Sequence, residues 1–348
     1  MRQIRSALRE YRTWTTDSRR WRDYEPRPGD IIIATSPKCG TTWMQQIVSS
    51  LIFQDPTPRS LATVSPWIDG RATGSAEEVH NILRGQTHRR FPKSHLPIDG
   101  LPLYDEVKYI HVARDGRDAC MSMHNQYMAF SAAQIDRFDR IGLDDPVLGR
   151  PFPPIPKSPA EYFRLWISTA AVAGQTEGIP APSYFDLEAG YWAERRRANF
   201  LLVHYQDLLD DLDLEMRRIA AFLAIDVDEA TWPSLVGAAG FVTMRTVADV
   251  LVPHVATSFS EGAQRFFYRG TNGRWRGVLA DDDLHLYLAK TRTKFTPQLA
   301  AWLERGRHAS GEPSEIADEV SKAPLPPPAS YGPRMNALSS ADGIDVST

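Results

Sequence analysis

Lys38, Gly40, Thr41 and Thr42 fall within five consecutive positions, in the run Ser36-Pro-Lys-Cys-Gly-Thr-Thr-Trp43. Gly40 lets backbone approach a ligand closely, and the two threonines place hydroxyls and free N–H groups at what would be the first turn of a helix. Lys38 adds a point charge that follows negative charge onto a leaving oxygen. Such a loop is built for an anion. The bland alternative is an ordinary strand-to-helix turn with a solvated lysine, but the density of ligand-type residues argues against it. A generic nucleoside triphosphatase is not the first reading either, because the lysine precedes the glycine and none stands before the threonines.

The loop needs a strand before it and a helix after it, and both are written in the flanks. Ile31, Ile32, Ile33 and Ala34 form the short apolar run of a buried parallel strand, and Met44, Ile47, Val48, Leu51 and Ile52 recur at helical spacing. Residues 53 to 87 read as crossover and pocket wall, with a helix around Glu77 to Leu83. Further strands are expected just before Lys93, over Tyr109 to Ala113, and from Asn199 towards Tyr205. A helix is expected from Asp118 onwards, a buried one around Tyr162 to Ile167, and an amphipathic one through Leu214, Ile219 and Leu223. Arg117 and Asp118 read as a solvated turn. The proline-rich stretch 124–160 is expected to be a lid or a disordered loop, and 174–189 an irregular insertion. Ile4, Leu8, Tyr11 and Trp14 are spaced for one helical face, so residues 1–29 read as a helical extension. One domain is then expected over 30–309, and a disordered tail over 310–348.

The 348 residues carry 40 Lys plus Arg against 43 Asp plus Glu, a formal charge of −3 that lacks the positive field of a general nucleic-acid binder. Any anion site is therefore local. The only cysteines, Cys39 and Cys120, offer neither a disulfide framework nor metal-ligand spacing, which suits a reducing cytoplasm. No run approaches a membrane span, and the N-terminus lacks the apolar core of a secretory signal. Beside Lys38, Cys39 is expected either to be a reachable thiol that favours its thiolate or a structural one.

Pro37-Lys-x-Gly-Thr-Thr-Trp43 closely resembles the 5′-phosphosulfate loop of sulfotransferases that use 3′-phosphoadenosine 5′-phosphosulfate (PAPS), with Cys39 where serine is usual. Three more blocks follow in the family's order. Lys93-Ser-His-Leu-Pro97 resembles the segment whose histidine is the catalytic base. Arg114 and Ser122, eight residues apart, match the pair that holds the 3′-phosphate. Arg269-Gly-Thr-Asn-Gly-Arg-Trp275 resembles the basic glycine loop that closes over the same phosphate, with Tyr268 where a first basic residue often stands. Tyr205, Phe241 and Met244 resemble the family's adenine-side residues.

The resemblance implies a doubly wound parallel α/β sheet related to the nucleotide kinases, and a reaction without a metal. PAPS would give its sulfuryl group to the hydroxyl of a small or lipid-like acceptor, leaving 3′-phosphoadenosine 5′-phosphate (PAP). His95 would be the general base, Lys38 would neutralise the leaving oxygen and Lys93 would assist at the sulfuryl oxygens. Cys39, Gly40, Thr41 and Thr42 belong to the 5′-phosphate loop, Trp43 to the adenine, and Arg114, Ser122, Arg269 and Gly270 to the 3′-phosphate. The alternatives are a kinase, which asks for carboxylates on Mg²⁺, and a non-catalytic adenosine-phosphate binder. Val64-Ser-Pro-Trp67 looks like bacterial members acting on hydrophobic alcohols. Ala280-Asp281 stands where the family's dimer motif falls, which leaves the oligomeric state open.

Overall fold

The computed structural model describes residues 1–317 apart from His254 and Glu261, and one compact unit spans Met1–Ile316. Among the described residues, six strands form two sheets. β1 (Gln3–Arg5) pairs antiparallel with β4 (Leu103–Tyr104), while β2 (Ile31–Thr35), β3 (Lys93–Ser94), β5 (Lys108–Ala113) and β6 (Phe200–His204) make a parallel sheet in the order β3-β2-β5-β6.

Alternation along β2 assigns the two faces. Ile31 and Ile33 pack with Met44, Ile47 and Leu51 of the helix Thr41–Phe53 and with Met216 and Ile219 of the helix Leu212–Leu223. Ile32 and Ala34 face the other way, onto Val79 and Leu83 of the helix Ala76–Gly85 and Leu187 and Tyr191 of the helix Tyr184–Glu194. Burial on both faces explains why the strand reads as a continuous apolar run. The sheet is doubly wound, and the carboxyl ends of β2 and β5 meet where the crossovers diverge, the edge at which such folds bind ligands.

Four expectations need correction. The N-terminus is not a helix: it holds β1, an extended segment and a 3₁₀ turn at Ser18–Asp23. Tyr11, Trp14 and Trp21 are buried while Ile4 and Leu8 are exposed, so the apolar spacing reflected separate anchor points along an extended chain. Within 124–160 stands a 13-residue helix, Ala132–Asp144, capped by Ser131, whose buried face carries Gln134 and Phe138. The insertion 174–189 gives way to a helix at Tyr184, where the Ser183 side chain accepts from Asp186 N. Arg117 and Asp118 are not a solvated turn: Arg117 pairs with Asp115 and Glu304, and Asp118 is buried. The tail expected from residue 310 lies mostly outside the described residues. Among those described, no helix is long and apolar enough to cross a membrane.

Candidate active site

A cavity of about 300 Å³ opens at the carboxyl ends of β2, β3 and β5. Lys38, Lys93, Arg114, Arg265, Arg269 and Arg274 line it, and among the described residues no carboxylate does. Positive charge gathered in a concave site favours an anion there.

The turn after β2 carries backbone strain where the chemistry is expected. Lys38 has φ 67°, the left-handed region that only a few per cent of non-glycine residues adopt. Gly40 has φ 110°, and a Cβ there would stand 3.0 Å from the Tyr205 ring. No side chain caps the helix Thr41–Phe53, which leaves its first-turn N–H groups for an anion. Lys38 Nζ sits 4.5 Å from the Phe266 ring centroid. Burial first, then Arg114 and Lys93, pushes its pKa down to about 7.

Cys39 corrects the expectation of a reactive thiol. It is fully buried with the sheet-side core, outside the cavity lining, and its N–H turns back to Ser36 O. Burial raises the thiol pKa well above its ordinary value, the reverse of what a thiolate needs. The Cys39 side chain is packed into the core rather than facing the cavity.

β3 delivers Lys93 and His95. Parallel pairing of Ile33 with Lys93 and Ala34 with Ser94 sets the register, so His95 lies beside the end of β2. Its Nδ1 is 2.9 Å from Thr35 O. A carbonyl only accepts, so Nδ1 carries the proton and Nε2 keeps its lone pair. Burial, then the Lys93 and Lys38 charges, lowers the His95 pKa to about 3, which holds the ring neutral. Lys93 lies 5.0 Å from the Trp67 ring centroid, and burial lowers its pKa to about 8 against the opposing charge of Asp69.

Arg114, at the end of β5, ties two loops together. Its Nη1 donates to Lys38 O at 3.1 Å, Nη2 to Thr271 O at 2.8 Å and Nε to Asn272 Oδ1 at 2.7 Å. Three of a guanidinium's five N–H groups are thereby used, and two remain for an anion. Asp118, in the next helix, accepts from Gly273 N and Arg274 N at 2.8 and 2.9 Å, holding the glycine loop over the cavity. Gly270 has φ 65°, and a Cβ there would come within 2.6 Å of the Phe241 ring. Trp43, Tyr205, Phe241 and Met244 form an aromatic and thioether wall, with Trp43 edge-on to Tyr205 at 5.3 Å and Arg114 4.3 Å from the Tyr205 centroid. Ser122 and Arg269 reach the same lining.

Every residue proposed from sequence except Cys39 therefore lines one cavity. Arg274, Asp118, Thr35 and Asp69 were missed. Arg274 stands inside the recognised glycine loop and has its guanidinium 4.7 Å from the Tyr268 ring centroid, where a basic residue was expected at Tyr268 itself. Asp118 was visible as an acid two residues into the helix Gly116–Tyr127, but an exposed first-turn acid carries the same pattern.

Apolar side chains make up much of the remaining lining. Leu61, Val79, Tyr127, Phe130, Phe138, Val255, Phe259 and Phe267 belong to it, with Phe130 packed 5.3 Å from Phe259 and 5.5 Å from Phe138. Lys38, Lys93 and His95 line the same cavity as both the cationic and the apolar side chains.

A family model described as the sulfotransferase domain matches residues 28–296. The chain belongs to the sulfotransferase family. It is 33% identical over 318 residues to a glycolipid sulfotransferase of Mycobacterium tuberculosis, covering 85% of this chain and 94% of that one. Mouse sulfotransferase 1B1 is 26% identical over 262 residues, 73% of this chain and 78% of its own. In fold, this sulfotransferase matches a mouse sulfotransferase crystallised with PAP, at a TM-score of 0.60 and 20% identity over 83% of this chain and 92% of that one. Retinol dehydratase, crystallised with androsterone and PAP, follows at 0.57 and 18%, covering 80% and 86%.

Proposed function

We propose that this sulfotransferase moves the sulfuryl group from PAPS to the hydroxyl of a lipid-like acceptor, with His95 as general base. The observation that carries the reading is the hydrogen bond from His95 Nδ1 to Thr35 O, which leaves Nε2 as the proton acceptor of a histidine that lines the cavity. PAPS fits the residues present: its phosphates match a cationic lining without carboxylates, and Gly40 and Gly270 leave room where a side chain would collide.

PAPS, when bound, supplies a sulfuryl group whose departure leaves charge on the 5′-phosphate. Lys38 neutralises that charge and Lys93 faces the sulfuryl oxygens. His95 Nε2 takes the acceptor's proton. Thr41 and Thr42, with the free N–H groups of their helix turn, hold the 5′-phosphate. Trp43, Tyr205, Phe241 and Met244 wall the adenine. Arg114, Ser122, Arg269 and Gly270, joined by Arg274, hold the 3′-phosphate. The kinase alternative loses support because it needs carboxylates for Mg²⁺, and none lines the cavity among the described residues.

A lipid-like acceptor is favoured by the apolar end and by the glycolipid sulfotransferase likeness. Two free, buried thiols keep the cytoplasmic reading. The test is transfer of radiolabel from ³⁵S-labelled PAPS across hydrophobic alcohols, phenols and glycolipids. Labelled organic sulfate from a hydrophobic acceptor, formed in the presence of a chelator, is the expected result. Label that stays on the nucleotide or appears only as free sulfate with every acceptor would overturn the reading.

A further inference from the structure

The N-terminal segment precedes the family match at residue 28, yet it reaches the site. Thr15 and Thr16 line the cavity. Trp21, in the 3₁₀ turn, donates its indole N–H to Asp69 Oδ1 at 3.0 Å, and Asp17 N donates to Asp69 O at 2.8 Å.

Asp69 has no solvent exposure and its carboxylate gathers three donors. Besides Trp21, Oδ2 accepts the His95 backbone N–H at 3.1 Å and Trp67 Nε1–H at 2.7 Å. Asp69 does not line the cavity, so it does not itself meet a ligand there. Its effect must run through the groups it holds. One is the backbone of His95. Another is Trp67, whose ring stands edge-on to His95 at 5.0 Å and beneath Lys93 Nζ at 5.0 Å. Backbone bonds from Lys93 N to Pro66 O and from Ile68 N to Lys93 O pin this segment along β3.

A buried, hydrogen-bonded carboxylate is ordinarily scaffolding. Here its donors are the N–H of the base, the ring packed on both catalytic side chains, and an anchor from outside the matched domain. We propose that Asp69 is a positioning residue for His95 and Lys93, and that Trp21 makes the N-terminal segment a working part of the active site. This rests on the reading of His95 as the base. Burial strains Asp69 towards protonation while its donors oppose that, and its charge favours the ammonium of Lys93.

Asp69→Asn keeps the shape but turns one acceptor into a donor facing other donors, whereas Trp21→Phe removes a single N–H and keeps a ring in place. Each is measured for single-turnover rate at saturating PAPS, PAP affinity by calorimetry and thermal unfolding, alone and combined with His95→Ala. A misplacement of about 1 Å costs on the order of 10²-fold in rate. Asp69→Asn is therefore expected to lose about 10²-fold and Trp21→Phe about three- to tenfold, with PAP affinity within about twofold and losses far from additive with His95→Ala. Full rates in both variants with lowered thermal stability would make Asp69 scaffolding and overturn the proposal, as would losses that add fully to that of His95→Ala. If His95→Ala itself keeps full rate, the base reading falls and this one with it. If it loses rate while Asp69→Asn and Trp21→Phe do not, only this one falls.

Discussion

The two ends of the cavity are built by different rules. At the donor end, strands β2 and β5 stop at a fixed edge, and the loops beyond them need particular residues: Gly40 and Gly270 at positive φ against rings, Lys38 in a strained turn, Arg114 with its fork divided between two loops. At the acceptor end, Leu61, Val79, Phe130, Phe138 and Phe259 come from scattered helices and loops and offer little but area. Phosphates are recognised by directed N–H groups and charge, which restrict residue type and spacing. A hydrophobic acceptor asks for apolar surface, which many combinations of side chains supply.

Variants at the donor end should damage donor handling, and variants at the acceptor end should leave it alone. The largest loss is expected for Lys38→Ala. Removing one such electrostatic contact costs about 10²- to 10³-fold in kcat, and because Lys38 also meets the donor at rest, KM for PAPS should rise, so kcat/KM falls by about 10³-fold or more. Steady-state kinetics over a PAPS series measures both. A change confined to KM would remove Lys38 from the chemistry.

Next come Arg269→Ala and Arg274→Ala. A lost charged hydrogen bond costs about 1.5–3 kcal/mol, roughly tenfold to a hundredfold in affinity. Calorimetry with PAP and with adenosine 5′-phosphate should show the loss for PAP alone. Equal losses for both nucleotides would place these arginines elsewhere.

The pH profile comes third. With its pKa near 3, His95 is already a free base throughout neutral pH and does not limit the rate there. The lysines do: Lys38 at about 7 and Lys93 at about 8 lose their charge as pH rises, so kcat/KM for PAPS should be flat up to about pH 6 and fall as pH rises through about 7 and 8. The bound anion favours the ammonium forms, so kcat itself should hold to higher pH. A rate that climbs with pH through about 6.5 would show that His95 carries an ordinary pKa. The smallest effect is expected for Phe130→Ala, half-buried at the acceptor end: about three- to tenfold in acceptor KM from lost apolar contact, and none in PAP affinity.

What could be read from sequence divides along the same line. The strand ends, Lys38, Lys93, His95, Arg114 and the glycine loop were legible because each is a local pattern with a local cause. Asp69 was not, since its three donors come from Trp21, Trp67 and His95, which only the fold brings together. Tyr11 and Trp14 misled the reading of the N-terminus for a related reason: burial at separate anchor points mimics helical spacing in so short a window. The proline-rich stretch before residue 160 hid the helix Ala132–Asp144, because its prolines all follow the helix.

His95 lines the cavity with both sets of side chains, and its replacement is the most direct test. Single-turnover rate and calorimetric PAP affinity are to be measured on one preparation of His95→Ala. The account expects affinity within about twofold of the unaltered protein and a rate lower by about 10²- to 10⁴-fold, the usual worth of a positioned general base. Full single-turnover rate with an acceptor that the unaltered protein sulfates would contradict it.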